Sequence, residues 1–304
     1  MRSEKFRSIV CKMRAAGMTM AISAALAGVP AVPATAQAAA GDLASDWVEG
    51  HASRVRMLAG RDSQAVSGLP EAIIAGVEID LQPAWKTYWR FPGEAGGVPP
   101  EFDWSRSKNV ADAKVVFPAP KRLTDATGDT IGYKDNVVLP VIVTPADASK
   151  PVELALDFTF GVCRDICIPA EASLLLDVPQ LGAQALPEGI KKALDHAPRK
   201  RAQKQPGDPE LTGHEIVLTG KAPHVVLDVD FGAKPEKGDV FAEAPGGLFL
   251  PMPRRVAGAG TAGGSSRFEI DLSQTLDLDD LKGKTIRLTL VGAEGQSERE
   301  LVLK

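Results

Sequence analysis

Two cysteines separated by three residues, Cys163 and Cys167 in FTFGVCRDICIPAE, are the residues of this chain best suited to chemistry. Thiols at this spacing have three uses: they trade electrons as a dithiol and disulfide, they lock a fold as a structural bridge, or they hold a soft metal ion. Geometry restricts how they meet. On one continuous strand, positions i and i+4 lie ~13 Å apart, whereas a disulfide needs Cα atoms within ~7 Å. The chain must therefore bend at Arg164-Asp165-Ile166, an insert with the length of a three-residue hairpin loop. A turn of helix would also join the side chains, but ELALDFTF leads in as a strand and ASLLLDV leads out as one, which predicts the hairpin.

A bridge that closes so small a ring restricts the unfolded chain little, by about 2 kcal/mol before any strain. The pair is better placed for rapid opening and closing than for stapling, because a second thiol close by can resolve a mixed disulfide formed by the first. Of the neighbouring charges, Arg164 favours a thiolate and Asp165 disfavours it. A metal site would need more ligands, and His51, His196, His214 and His224 are scattered without ligand spacing. No cofactor and no resident metal is expected. Two thiolates alone still leave room for Cu(I).

The elements that carry this pair are strands. AIIAGVEIDL places Ile73, Ala75, Val77, Ile79 and Leu81 on one side of a period-2 pattern and Glu78 and Asp80 on the other. In ELALDFTF, Leu154, Leu156, Phe158 and Phe160 oppose Glu153, Asp157 and Thr159. Apolar runs at Val137–Val143 and Leu174–Val178 read as further strands, which makes residues 43–180 an all-β domain. Residues 181–207 read as a linker with one short helix from Glu188 to His196, opened by Pro187, followed by the basic, proline-bearing run PRKRAQKQPGDPE. Alternation returns in VVLDVDF, TIRLTLVG and ERELVLK, so residues 208–304 form a second β domain, with Ala257–Ser266 as a flexible hairpin loop. With few helices to serve as crossovers, both domains are expected to be antiparallel sandwiches.

The first forty residues belong to a different category. Arg2, Lys5, Arg7, Lys12 and Arg14 precede a charge-free, alanine-rich stretch that ends in small residues around Ala34 to Ala38. That is the layout of a cleaved signal peptide over residues 1–40, which would remove Cys11. No later segment is apolar for long enough to span a bilayer. A net charge of -4 with mixed signs offers no basic face for nucleic acid. In an oxidising compartment a dithiol becomes a disulfide unless something keeps reducing it.

Four stretches in order, WKTYWRFPGEAGGVPPEFDW (Trp85 to Trp104), VVFPAPKRL (Val115 to Leu123), IGYKDNVVLPVIVTP (Ile131 to Pro145) and FTFGVCRDICIPAEASLLL, resemble the periplasmic N-terminal domain of the thiol:disulfide interchange protein DsbD. The likeness is to the ScsB-type variant, over residues 45–180, in a family associated with cytochrome c biogenesis and copper tolerance. It implies a periplasmic location and an immunoglobulin-like sandwich, followed here by a second one. It also implies a cysteine pair that takes electrons from a membrane-embedded thiol reductase and passes them to periplasmic thioredoxin-fold or other disulfide proteins. By the resemblance Cys167 forms the mixed disulfide, Cys163 resolves it, and Tyr88 is the aromatic beside the pair; for Trp85 and Trp89 ordinary core packing is expected. The family's cap loop corresponds to Thr124 to Gly128, where Asp125 either supplies the carboxylate that manages the thiol proton or is a plain turn residue. Ala126 stands in place of the shielding aromatic, so shielding is expected either to be weaker or to come from elsewhere, with Phe91 and Phe102 as candidates. Larger relatives continue into membrane and thioredoxin-like domains whereas this sequence ends at Lys304, so the donor is expected to be a separate protein. Two other functions fit the same residues: a non-enzymatic periplasmic binding or assembly module with a structural disulfide, and a Cu(I)-binding copper-tolerance protein.

Overall fold

Alternating side chains explain most of the architecture. The computed structural model describes residues 43–62, 72–125, 128–180, 185–257, 264–275 and 278–304. The expected signal peptide therefore lies outside the described residues, as do Ala126 and most of the Ala257–Ser266 loop. The first half contains β1 (Leu43–Ala44), β2 (Val48–Gly50), β3 (Ser53–Gly60), β4 (Ile73–Leu81), β5 (Lys86–Tyr88), β6 (Glu101–Asp103), β7 (Val110–Val115), β8 (Lys121–Asp125), β9 (Gly128–Lys134), β10 (Asn136–Pro145), β11 (Val152–Cys163) and β12 (Cys167–Val178). One sheet has the order β1-β3-β4-β10-β7, with β2 on β3; the other has the order β12-β11-β5-β9-β8, with β6 on β11. Their facing sides share one core, in which Met57, Ile79, Leu139 and Val141 meet Leu154, Leu156, Phe158, Phe160 and Val162.

The second half runs through α1 (Glu188–Asp195), β13 (Arg199–Lys200), β14 (Glu210–Val217), β15 (His224–Asp230), β16 (Asp239–Glu243), β17 (Arg254–Arg255), β18 (Ser265–Asp271), α2 (Leu278–Leu281), β19 (Thr285–Val291) and β20 (Gln296–Val302). It forms two four-stranded sheets, β13-β20-β19-β16 and β14-β15-β18-β17, over a core that includes Val225, Leu227, Val229, Phe268, Ile286, Leu288 and Leu290. Among the described residues the fold is an all-β, immunoglobulin-like arrangement of stacked sheets, and no helix is long and apolar enough to cross a membrane.

The stretch between the halves is anchored rather than free. Ile190 and Ala193 of α1 bury against Leu58, Ile74 and Val138, which explains why β4 is buried on both faces instead of one. Arg199 makes a forked contact with the fully buried carboxylate of Asp208, at 2.7 and 2.9 Å. Desolvation is the largest influence on Asp208 and opposes its charge, but the Arg199 hydrogen bonds and charge, together with the Gln205 and Gln296 backbone amides, hold its pKa below the usual carboxylate range.

The two halves pack directly on each other. Phe241 of β16 and Met252 are part of the first core, and the Phe241 ring lies 6.0 Å from that of Trp89. An ionic rim surrounds this apolar contact. Arg122 of β8 grips Asp239 through two 2.9 Å hydrogen bonds, donates to the Pro253 carbonyl at 2.9 Å, and reaches Asp129 at 3.3 Å. Arg90 grips Glu243 at 2.7 and 2.9 Å while lying 4.1 Å over the Trp89 ring. Arg254 reaches back to Glu94 at 2.8 Å and to Asp129 at 3.1 Å. Asp129 thus collects two guanidinium groups and a 2.6 Å hydrogen bond from Thr124, and the Thr124 bond is the chief cause of its lowered pKa. This rim fixes the β8–β9 hairpin and the loop after β5, the two segments that border the cysteines.

Candidate functional site

β11 and β12 pair without interruption from Val152 opposite Val178 to Cys163 opposite Cys167, so the cysteines are the last rung before the Arg164-Asp165-Ile166 turn. They form a disulfide with Cα atoms 4.2 Å apart. The hairpin expected from the sequence is the one the chain makes. The bond is asymmetric in exposure: Cys163 is 4% exposed, whereas Cys167 is open to solvent beside Ile166, which is 65% exposed. One sulfur is accessible and the other lies beneath it.

Alternation decides what surrounds the bond. Because Val162, Phe160 and Phe158 point into the core, Cys163 and Gly161 occupy the outer face of their sheet. The next strand sets Lys86 opposite Cys163 and Thr87 opposite Val162, which puts Lys86 and Tyr88 on the same outer face as the sulfurs. The Tyr88 hydroxyl donates to Cys163 Sγ at 3.0 Å and lies 2.8 Å from Cys167 Sγ. Burial, and after it the charge on Asp125, raise the Tyr88 pKa, so the phenol keeps its proton at neutral pH and remains a donor.

Two glycines make room for the tyrosine ring. A Cβ at Gly161 would come 2.7 Å from Tyr88 Cε2, and one at Gly97 would come 2.2 Å from Cε1, at a φ of +148° that disfavours side chains. Gly97 belongs to the loop after β5, held over the site by the hydrogen bond from Gly161 N–H to the Val98 carbonyl, 3.0 Å, and tied to the second half where the Met252 amide donates to Glu94 at 2.6 Å.

Asp125 ends β8 and accepts a 2.5 Å hydrogen bond from Lys86 Nζ, which also donates to Thr130 Oγ1 at 3.1 Å. The Lys86 side chain is only 7% exposed. Arg164 and Asp165 pair with each other at 2.9 Å in the exposed turn, and Arg164 lies 5.2 Å over the ring of Trp85. An exposed pair of this kind carries little net field. Trp89 is fully buried in the core, and Trp85 packs at its margin. The expected aromatic shields pack elsewhere. Phe102 lies against Phe158, with ring centroids 4.9 Å apart, and Phe91 packs against the same core. The cover over Tyr88 is backbone, at Gly97 and Val98.

Lys86, Thr130, Gly97 and Gly161 are site residues that sequence reasoning passed over. Lys86 carried a signal: in WKTYWR it stands two residues from Tyr88, hence on the same face of the strand. Among the described residues, no three His, Cys, Asp or Glu side chains are gathered as a metal centre would require.

Residues 54–179 match the family model described as thiol:disulfide interchange protein DsbD, N-terminal. The match runs from β3 through β12 and contains every residue of the site. In fold, the chain is similar to the crystal structure of the N-terminal periplasmic domain of ScsB from Proteus mirabilis, with a TM-score of 0.61, 19% identity, and coverage of 86% of this chain and 99% of that chain. That coverage exceeds the span matched by the family model, so the likeness takes in the second half as well. No curated protein matches the chain. The bonded hairpin tip, with both cysteines, lies inside the residues that match that family model.

Proposed function

We propose that this protein is a periplasmic relay that carries electrons through Cys163 and Cys167 from a membrane-embedded thiol reductase to exported disulfide proteins of the thioredoxin-fold type. The observation that carries this reading is the placement of the disulfide: at a hairpin tip, one sulfur exposed, one buried, with a protonated tyrosine within hydrogen-bond distance of both. A structural bridge gains nothing from that arrangement, and a relay needs each part of it.

In the charging half-reaction a donor thiolate attacks Cys167 Sγ, the exposed atom. The Sγ–Sγ bond breaks, its electron pair leaves on Cys163, and the Tyr88 hydroxyl stabilises the thiolate by the hydrogen bond it already directs at that sulfur. The donor's second thiolate then attacks the donor sulfur of the mixed disulfide and releases Cys167. Two electrons and two protons have moved: the donor dithiol is now a disulfide and the cysteine pair is reduced. In the discharging half-reaction the Cys167 thiolate attacks an acceptor disulfide, and Cys163 attacks Cys167 Sγ to regenerate the bond and free the reduced acceptor. The 4.2 Å Cα separation keeps this second attack intramolecular, which favours it strongly over capture by an outside thiol.

The test is a Cys163→Ser/Cys167→Ser double variant in a coupled assay with a thioredoxin-fold acceptor. Electron delivery is expected to disappear while far-UV circular dichroism is unchanged and stability falls by about 2 kcal/mol or less, the worth of so small a ring. Full delivery by the double variant would remove the relay reading.

A further inference from the structure

A lysine is among the residues least often buried, and a buried ammonium must be paired. Lys86 is buried directly across the strand ladder from Cys163, where opposed side chains stand about 4.5–5.5 Å apart at Cβ. Its Nζ is turned to Asp125 and Thr130. A salt bridge that merely pinned β8 to β5 would be indifferent to the sulfurs. The position of Asp125 makes this one otherwise: its charge acts on the Tyr88 hydroxyl, and that hydroxyl sits within 3.0 Å of both sulfurs. A lone carboxylate there would repel any thiolate formed on Cys163.

We infer that Lys86 is a positioning residue of the exchange site, whose ammonium neutralises Asp125 on the sulfur-bearing face of the sheet and so lets the opened disulfide hold a thiolate. This rests on the exchange reading above, but its consequence is measurable without any partner protein. The charged and titratable groups around the pair are Lys86 and Tyr88 on β5, Asp125 on β8, Lys134 opposite Lys86 on β9, and Arg164 and Asp165 in the turn. Arg164 and Asp165 cancel each other and Lys134 is exposed, which leaves the balance between the buried Lys86 and its partner Asp125 as the electrostatic control.

The step probed is loss of a proton to solvent from a cysteine thiol after dithiothreitol has reduced the bond. The full chain is reduced, freed of dithiothreitol, and alkylated with iodoacetamide from about pH 4 to about pH 9, because only thiolates react. The rate at each cysteine is read by peptide mass. Lys86→Met is expected to raise the pH of half-maximal rate by about one unit, Asp125→Asn to lower it, and the double variant to fall between the two. Lys86→Arg should keep the wild-type profile. An unchanged or lowered profile in Lys86→Met overturns the inference. If Lys86→Met does not fold, the Asp125→Asn profile decides alone: a lowered midpoint supports the inference, and an unchanged or raised one overturns it. Failure of the relay reading would show separately, as wild-type protein that reduces no acceptor.

Discussion

A Cys163→Ser variant is expected to accumulate a covalent mixed disulfide through Cys167, whereas Cys167→Ser is not. The difference is one of access: Cys167 is exposed at the hairpin tip, and Cys163 lies beneath it under Tyr88. With Cys163 removed, the accessible thiol still attacks an acceptor disulfide, but nothing is left to resolve the adduct, so it persists. With Cys167 removed, the remaining sulfur is shielded and the first attack fails. Non-reducing electrophoresis with a disulfide-bearing thioredoxin-fold acceptor checks this, the expected outcome being a band at the summed mass for Cys163→Ser and little or none for Cys167→Ser. Equal trapping by both variants would mean that the burial difference does not control attack.

The second large effect is structural. Arg122→Ala is expected to cost about 3 kcal/mol of stability, because it strips the forked partner from the partly buried Asp239 and one of two guanidinium groups from the nearly buried Asp129. Removing one member of such a network costs more than the network contributes, since the carboxylates left behind stay desolvated. Arg122→Lys should recover only part of the loss: one ammonium cannot reproduce the fork to Asp239 together with the bond to the Pro253 carbonyl. Urea unfolding of the two variants and the wild type measures both numbers. A loss below about 0.5 kcal/mol for Arg122→Ala would place the contact among ordinary surface ion pairs.

What the sequence made legible follows from what is local. The period-2 runs at Ile73–Leu81, Val152–Cys163, His224–Asp230 and Thr285–Val291 are strands, because alternation reports burial on one face directly. The hairpin at Arg164-Asp165-Ile166 was legible because bond geometry allows so few ways to join cysteines at this spacing. Tyr88 was recoverable from the motif around it. Burial of Ile74 was not, because its cover is α1, more than a hundred residues further along the chain. The contacts of Arg122 with Asp239 and of Arg254 with Asp129 were hidden for the same reason: ionic partners this far apart in sequence leave no periodicity. Lys86 was missed because a lysine in an alternating strand reads as a solvent-facing residue, whereas its partners Asp125 and Thr130 are brought to it only by the pairing of β5 with β9 and of β9 with β8. Gly97 and Gly161 acquire meaning only once the tyrosine ring lies between them.

The central claim is that Cys163 and Cys167 exchange electrons, and the reduction potential of the pair tests it most directly. Equilibration of the full chain against glutathione or dithiothreitol buffers, with the reduced fraction read by alkylation and mass, is predicted to give a value of about -180 to -270 mV, the range in which protein dithiols trade electrons with one another. A value below about -300 mV, where structural disulfides lie, would contradict the account.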